Sequence, residues 1–365
     1  MIVESIEKQT PLYQEHLHCK ARMVPFAGWS MPVQYEGILA EYEQTRKGVS
    51  VFDTSHMGEF TIAGKARESG LDRIVTQRIV DLPLNTCRYG MMLNSQGGII
   101  DDLIVYRVAE EQWMIVVNAA DIEQKAEYFK KNLTVAAKFK NISQQTGKLD
   151  IQGPLSRQVL AELVPMIDQL EYFSFNEFDL LGHRVIISRT GYTGELGYEI
   201  YFPWDELIVL WKKLLANKMV KPAGLGARDV LRLEMGYSLY GQDLDLTISP
   251  LEAGLNGFID FEKDFIGKDA LLAQKQSGVK RKMVFFTSEG RQSPRHHYKI
   301  FTENAPIGVV TSGTFSPSLR KGIGMGLVDR TIDLKEKKLS VGEQNNRMIV
   351  YLTQRPFYKN GSLRN

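Results

Sequence analysis

Residues 94–107 read NSQGGIIDDLIVYR, and this stretch decides how the first part of the chain folds. The apolar residues that follow the two glycines continue to Tyr106, which is typical of a strand covered on both faces. Successive side chains of a strand point to opposite faces, so Asp101 and Asp102 enter opposite sides of the sheet. Carboxylates are uncommon in strands and costly to bury without partners. Either the pair lies at a strand end in water, or one of the two does chemistry.

Spacing alone does not choose between the two carboxylates. Both faces of the strand are apolar beyond the pair, so each carboxylate enters a poorly solvated setting. In such a setting pKa values shift, and acid–base or electrostatic roles become possible. The stretch therefore predicts a strand and leaves open which aspartate takes part in chemistry.

Length, composition and charge limit the kinds of protein that this chain can be. The chain has 365 residues, of which 43% are hydrophobic, and this length predicts two or three domains. A net charge of +2 gives no reason to expect nucleic acid as a partner. Cys19 and Cys87 are far apart and the six histidines lack ligand spacing, so we expect no disulfide and no metal. Neither a signal peptide nor a membrane span is visible, so a cytoplasmic location without membrane contact is expected.

Helical and strand patterns mix without a repeating strand–helix rhythm. Helices are predicted over 37–48, 121–133 and 204–216, with Asp121 as a cap, and a hairpin over 178–190 turns at Leu181-Gly182-His183. Residues 283–358 contain short strand-like runs and almost no helical pattern. This change of texture predicts a separate β domain with its boundary near 276–283.

Two glycine-rich motifs are candidate sites. GYTGELGYEIYF (191–202) lacks the dinucleotide-binding spacing, so it is either a turn between strands or a loop in which Tyr192 and Glu199 line a ligand. AGLGARDVLRLEMGYSLYGQDLD (223–245) predicts a helix that ends near Gly236. Acidic neighbours are expected to neutralise Arg232, whereas Arg228 is a candidate for binding an anionic ligand.

Several motifs occur in an order that resembles one family, the T-protein of the glycine cleavage system, an aminomethyltransferase. The resemblance runs from about residue 10 to the C-terminus and rests on TPLYQEH, VPFAGWSMPVQY, FDTSHMGEF, GGIIDDLIVY, VVNAA, SRTGYTGELGYEI, GLGARDVLRLEMGYSLYGQDLD, TSGTFSPSLRKGIGMG and PFY. It implies an α+β, three-domain cloverleaf. Two interleaved α/β subdomains, approximately 1–53 with 142–276 and 54–141, would form a folate-binding region over 1–276, and 283–365 would form a jelly-roll-like β-barrel.

The resemblance also implies a reaction. An aminomethyl group carried on the lipoyl arm of a partner, the lipoylated H-protein, would pass its one-carbon unit to tetrahydrofolate. The products would be methylenetetrahydrofolate, ammonia and the dihydrolipoyl arm, with no metal involved.

The motifs carry the site residues over to this chain. Asp102 matches the catalytic carboxylate, and Asp101 would be structural. Glu199 resembles the residue that holds the amino-pyrimidine edge of the pterin, and Arg228 the residue that faces the glutamate or benzoyl end. Arg364 resembles an arginine near the lipoyl entry. The residues that resemble the folate pocket are Met57, Tyr89, Leu93, Asn118, Tyr192, Glu199, Arg228 and Tyr237.

Two other functions of the same fold stay open at this point. One is a folate-dependent demethylase acting on a sulfonium or methylamine substrate. The other is a non-catalytic folate-binding protein that assists iron–sulfur maturation and carries a KGCYxGQ motif. Here the corresponding stretch, SLYGQDLD (238–245), has no cysteine, which argues against the latter. The aspartate of GGIIDD argues against both, since they commonly lack it.

Overall fold

The computed structural model describes residues 7–303, 305–334, 337–343 and 346–363. The helices of this part of the chain are α1 (Tyr13–His18), α2 (Ile38–Lys47), α3 (Leu71–Ile74), α4 (Ile122–Asn132), α5 (Ser156–Ala161), α6 (Leu207–Leu215), α7 (Leu225–Glu234) and α8 (Lys268–Ser277). The strands are β1 (Arg22–Phe26), β2 (Trp29–Gln34), β3 (Val49–Asp53), β4 (Gly58–Ala63), β5 (Cys87–Leu93), β6 (Ile99–Ala109), β7 (Gln112–Val117), β8 (Lys138–Asn141), β9 (Thr146–Gln152), β10 (Phe175–Leu180), β11 (His183–Ser188), β12 (Gly197–Pro203), β13 (Val220–Pro222), β14 (Arg281–Ser288), β15 (Lys299–Thr302), β16 (Ala305–Ser316), β17 (Lys321–Asp329), β18 (Leu339–Glu343) and β19 (Asn346–Thr353).

Strand β6, from the stretch quoted first, lies inside an antiparallel five-stranded sheet with the order β5-β6-β7-β4-β8. Leu103 and Val105 pack on one face of the sheet with Phe129 of α4. Ile104 and Tyr106 pack on the other face with Tyr201 of β12. The strand is therefore covered on both sides, and the predicted alternation of Asp101 and Asp102 is confirmed.

The second sheet has six strands in the order β10-β11-β12-β9-β3-β13. Along β12, Tyr198 and Ile200 enter an apolar core that includes Trp211 of α6. Tyr201, on the opposite face of β12, packs against Tyr106 of the five-stranded sheet. The polar residues on this face of the six-stranded sheet therefore share the interior between the two sheets.

The C-terminal strands close into a barrel with the order β14-β17-β16-β15-β18-β19, in which β19 pairs back to β14. Phe286, Ile300 and Val341 fill its core. The predicted fold class, a mixed α/β region followed by a β-barrel, is confirmed. The five-stranded sheet takes its strands from between β3 and β9, two strands of the six-stranded sheet. We propose that the interleaved domain limits expected from the resemblance follow these two sheets.

Of the local predictions, the hairpin is confirmed and the helix cap is wrong. The hairpin of β10 and β11 turns at Leu181 and Gly182 with φ of 53° and 83°, as predicted. Asp121 precedes α4, but it has a φ of 53° and its side chain makes no capping hydrogen bond, so the predicted cap is wrong. None of the helices within the described ranges combines the length and the apolar character needed to cross a membrane.

Candidate active site

Asp102 is held by two neutral donors. The Tyr89 hydroxyl donates to Asp102 Oδ2 at 3.0 Å, and the Asn118 carboxamide donates to Asp102 Oδ1 at 2.7 Å. Tyr89 comes from β5, Asp102 from β6, and Asn118 follows β7, so three adjacent strands bring these residues together. The structure thus joins three of the residues predicted for the site.

Asp101 is more firmly bound than its neighbour. It is fully buried, and its carboxylate lies 2.8 Å from Lys125 Nζ of α4. Asn118 also donates to it, through its backbone N–H at 2.9 Å and its carboxamide at 2.9 Å. We call Tyr89, Asp101, Asp102, Asn118 and Lys125 the Asp102 array. Within this array, one ammonium faces two carboxylates.

Burial, together with the presence of one ammonium for two carboxylates, perturbs the pKa of both carboxyl groups. Burial, and then the negative charge of Asp101, raise the pKa of Asp102 to about 7, while Tyr89 and Lys125 act in the opposite direction. Burial also raises the pKa of Asp101, opposed chiefly by Lys125. A carboxyl group whose pKa lies near neutrality can hold or release a proton under working conditions. Asp102 therefore has the properties of an acid–base group.

A second set of charged residues is centred on strand β9. Lys148 Nζ lies 2.7 Å from Asp150 Oδ1 and 3.1 Å from Glu199 Oε1. The other oxygen of Asp150 lies 2.7 Å from Arg228 Nη1. We call Lys148, Asp150, Glu199 and Arg228 the β9 cluster. It contains two cations and two carboxylates, in the order Glu199–Lys148–Asp150–Arg228.

Attraction dominates within the β9 cluster. Burial opposes the charge on Lys148, but Asp150 and Glu199 outweigh it and raise the pKa of the ammonium. Burial likewise opposes the charge on Asp150, but Lys148 and Arg228 outweigh it and lower the pKa of that carboxyl. Lys148, Asp150 and Glu199 are buried and the side chain of Arg228 is 14% exposed, so the cluster holds its charges in place with little help from solvent.

Tyrosines connect the two charge sets. The rings of Tyr192 and Tyr237 stack at 5.7 Å, and the guanidinium of Arg228 lies 5.0 Å from the Tyr192 ring centroid. Burial raises the pKa of Tyr192, and both Asp102 and Arg228 act on it as well. The Tyr192 hydroxyl also donates to the Ser238 carbonyl. Tyr192 therefore lies close to both the Asp102 array and the β9 cluster.

Some buried polar atoms beside these residues have no hydrogen-bond partner within the described residues. They include both carboxylate oxygens of Glu59, Nδ1 of His56 and Oγ of Ser238. Burial raises the pKa of Glu59 well above its usual range, and Glu199 adds to the effect while Lys148 opposes it. Burial lowers the pKa of His56 to about 4. Unpartnered polar atoms are costly to bury, so each of these atoms is a candidate for a partner supplied by a ligand.

The remaining predicted residues are more dispersed. Met57 packs beside Tyr106 and Tyr201, with its sulfur 4.0 Å from Lys148 Nζ. Leu93 is buried in an apolar cluster with Ile99 and does not belong to the polar arrays. Arg364 lies outside the described residues. Where structure is described, no group of three or more His, Cys, Asp or Glu side chains is arranged to hold a metal ion.

The two arginines predicted from the motif of 223–245 lie on α7, and the structure shows the contacts of both. Arg232 is neutralised as expected, by Asp229 at 2.7 Å and by Asp243 at 2.8 Å. Arg228 pairs internally with Asp150, a partner that reasoning from the sequence did not identify. Binding of an anionic ligand by Arg228 stays a prediction.

The internal partners Lys125, Lys148, Asp150 and Glu59 were missed at the sequence level. Lys148 and Asp150 alternate with Leu149 and Ile151 along β9. That pattern is typical of a strand with one solvated face, yet every residue of β9 is buried. The excess of acidic and basic residues at alternate positions was the available signal, but only the packing of two sheets shows that the polar face is internal.

Comparisons with known proteins agree along the whole chain. A family model described as the GCVT N-terminal domain matches residues 12–263, and one described as the glycine cleavage T-protein C-terminal barrel domain matches residues 281–359. An aminomethyltransferase of Pseudothermotoga lettingae is 42% identical over 360 residues, covering 96% of this chain and 98% of that protein. One from Listeria monocytogenes is 40% identical over 355 residues, covering 96% and 98%.

A solved structure agrees as well. The crystal structure of the glycine cleavage system aminomethyltransferase T from Bartonella henselae superposes with a TM-score of 0.90 at 32% identity. The match covers 97% of this chain and 99% of that one.

Proposed function

The chain belongs to the glycine cleavage T-protein family and is an aminomethyltransferase, and from this premise we propose how its residues serve the reaction. The one-carbon unit would arrive as an aminomethyl group on the lipoyl arm of H-protein and leave on tetrahydrofolate. The demethylase and iron–sulfur assembly alternatives are not favoured, because the relatives are named aminomethyltransferases.

The observation that carries the proposed site is the contrast between Asp101 and Asp102. Asp101 is fixed by a buried ammonium and by two donors of Asn118, so it has little freedom to exchange a proton. Among the described residues, the donors in direct contact with Asp102 are neutral, and its pKa is raised to about 7. We therefore assign the catalytic role to Asp102 and a structural role to Asp101.

The interior between the two sheets suits a folate. The unpartnered oxygens of Glu59, Nδ1 of His56 and Oγ of Ser238 lie on the segments that also carry Met57 and Tyr237. A pterin offers several hydrogen-bond donors and acceptors on a flat ring. The stacked pair of Tyr192 and Tyr237 offers the aromatic surface that such rings pack against. These features support the fit of tetrahydrofolate to this interior.

Two of the pocket residues have specific proposed tasks in binding the folate. Glu199 would accept hydrogen bonds from the amino-pyrimidine edge of the pterin, and Arg228 would face the anionic end of the folate. The other proposed contacts are Met57, Tyr89, Leu93, Asn118 and Tyr192, with Tyr237 beyond them. Arg364 would lie near the entry of the lipoyl arm, and the H-protein surface would approach there.

Tetrahydrofolate supplies the amines that take up the one-carbon unit. The chain would supply Asp102, whose carboxylate can accept a proton or stabilise positive charge near the carbon being transferred. Tyr89 and Asn118 hold this carboxylate in one orientation by hydrogen bonds to its two oxygens. No metal is required for either role.

The test compares two substitutions of adjacent residues. Asp102→Asn keeps the shape but removes the basicity, so turnover should fall by roughly 10²–10⁴-fold. Asp101→Asn should mainly lower the melting temperature. Turnover is measured as ammonia release and methylenetetrahydrofolate formation with the other glycine cleavage proteins present, per folate-binding-competent protein.

Folate binding is measured separately by thermal unfolding. Tetrahydrofolate at 100 times its dissociation constant should add about 2.7 kcal/mol to the free energy of unfolding in the wild type and in both variants. An unchanged melt of the wild type at saturating folate would remove the pocket assignment. Normal turnover of Asp102→Asn, or loss of chemistry in Asp101→Asn alone, would reverse the roles of the two aspartates.

A further inference from the structure

We infer that Lys125 is a positioning residue for the reaction, which offsets the negative charge of Asp101 and thereby allows Asp102 to ionise and act as a base. The inference rests on the proposed role of Asp102 and adds a residue that the motifs did not assign. Lys125 does not touch Asp102 directly through any described hydrogen bond. It acts through its contacts with Asp101 and Asn118 and through its positive charge.

The contacts of Lys125 are directed at the array and not at solvent. Its side chain is only 2% exposed, although it lies on the α4 helix among surface lysines. Its ammonium lies 2.8 Å from Asp101 Oδ2 and donates to the Asn118 carbonyl at 2.9 Å. Its third neighbour is the Tyr240 ring, with the centroid 5.0 Å away. Lysine is rarely buried unless it is paired, so this placement is specific.

Asn118 transmits the effect. Lys125 holds the backbone of Asn118 through its carbonyl, and the Asn118 carboxamide donates to both Asp101 and Asp102, at 2.9 and 2.7 Å. One ammonium therefore fixes the position of the amide that orients the reactive carboxylate. A displaced carboxamide would leave Asp102 with Tyr89 as its hydrogen-bond donor.

The charges around Asp102 also depend on Lys125. The titratable groups that face or act on Asp102 are Asp101 on its own strand, Tyr89 on β5, Tyr192 and Tyr240 on the loops after β11 and α7, and Lys125 on α4. Among the contacts described for the array, Lys125 supplies the positive charge. Without it, Asp101 and Asp102 are adjacent carboxylates with no described cation in contact, and each disfavours the ionised form of the other.

The consequence is a shift in the pH dependence of turnover. A nearby opposite charge lowers a carboxyl pKa, so removing the ammonium should move the acidic limb of the activity profile upward by about 1 pH unit. Removing Asp101 should move the limb downward, because Asp102 then faces the ammonium without a competing carboxylate. Removing both should return the limb close to its original position.

The experiment measures turnover against pH for Lys125→Met, Asp101→Asn and the double variant, each normalised to folate-binding-competent protein. Lys130→Met is the matched control, because Lys130 lies on the same helix in an exposed pair with Glu127 at 2.7 Å. The expected order of the acidic limb, from low to high pH, is Asp101→Asn, then wild type, Lys130→Met and the double variant together, then Lys125→Met.

Two results would overturn the inference. The first is an acidic limb in Lys125→Met that coincides with wild type while only stability falls, which would make Lys125 purely structural. If Lys125→Met does not fold, Asp101→Asn and the double variant decide: equal limbs in these two refute the inference, and a higher limb in the double variant supports it. Normal turnover of Asp102→Asn would instead refute the proposed role of Asp102, so the two failures are distinguishable.

Discussion

The Asp102 array and the β9 cluster are both buried sets of charges, but they differ in balance. The β9 cluster joins two cations to two carboxylates through contacts of 2.7 to 3.1 Å. The Asp102 array offers one ammonium to two carboxylates. The first set keeps a carboxyl pKa below its ordinary value and the second raises one to about 7. The balance of charge therefore separates a fixed scaffold in one place from a proton-exchanging group in the other.

This difference in the ratio of cations to carboxylates shows that burial alone does not identify the reactive residue. Asp150 and Asp101 are both fully buried, and both have an ammonium at 2.7 to 2.8 Å. Asp150 also has Arg228, whereas Asp101 has Asp102 beside it. The number of opposite charges within reach decides whether a proton is held or released.

Breaking the balance of the β9 cluster should have the largest effect on stability. Lys148→Met leaves Glu199 without its ammonium and Asp150 with only Arg228, so the free energy of unfolding should fall by about 3–5 kcal/mol. Denaturant unfolding at neutral pH measures the loss.

Lys47 provides the matched control. It pairs with Glu43 at 3.1 Å, but the side chains are 75% and 51% exposed. Lys47→Met should therefore change stability by less than about 0.5 kcal/mol. If both variants lost the same small amount, the β9 cluster would not be a structural unit, and the contrast with the Asp102 array would disappear.

The second prediction concerns ligand binding by Glu199, which lies at one end of the β9 cluster. Glu199→Gln removes the charged acceptor proposed for the pterin edge, so tetrahydrofolate binding should weaken by about 1.5–3 kcal/mol. A direct titration measures this. Tyr201→Phe is the control, because Tyr201 donates to the same carboxylate at 3.2 Å and its loss should cost no more than about 0.5–1.5 kcal/mol. Unchanged affinity in Glu199→Gln would leave Glu199 as a structural partner of Lys148 on strand β12.

Much of the fold could be predicted from local pattern. Strand β6 was predictable because its apolar residues continue through both faces, and the hairpin at Leu181 and Gly182 was predictable because a short glycine turn separates two alternating runs. The run of short strands without helices predicted a separate C-terminal β domain, whereas its closure into a barrel was implied by the family resemblance. The first signals are local, but closure depends on the pairing of β14 with β19, which lie far apart in the sequence.

The site could be predicted only in part. Asp102, Tyr89 and Asn118 come from motifs that carry the family resemblance, and the structure places them in contact. Their partner Lys125 and the pair of Lys148 and Asp150 could not be found, because a lysine in an amphipathic helix and alternating charges in a strand both predict solvent. Only the packing of α4 and of the two sheets makes those positions internal.

Glu59 gives the third prediction, with the smallest expected effect on stability. Its side chain is buried and, among the described residues, neither of its oxygens has a hydrogen-bond partner. It adjoins the β9 cluster, whose cations already serve other carboxylates, so it resembles the Asp102 array in its shortage of charge. Glu59→Met removes the unpartnered carboxyl while keeping a similar volume. The free energy of unfolding should therefore rise by about 1–3 kcal/mol at neutral pH.

The pH dependence separates this explanation from a simple gain in apolar packing. Burial raises the folded-state pKa of Glu59, so its stabilising contribution is complete below the unfolded pKa of about 4.3 and is lost as pH rises toward the folded value. The advantage of Glu59→Met over wild type should therefore grow between about pH 4 and pH 8. Glu59→Gln cannot ionise either and should show the same growth, starting from near zero at low pH. An advantage that is constant with pH would mean that the pKa of Glu59 does not change on folding and that the gain comes from apolar packing. A loss of stability in both variants at high pH would mean that Glu59 is ionised and paired, and the β9 cluster would then need another cation.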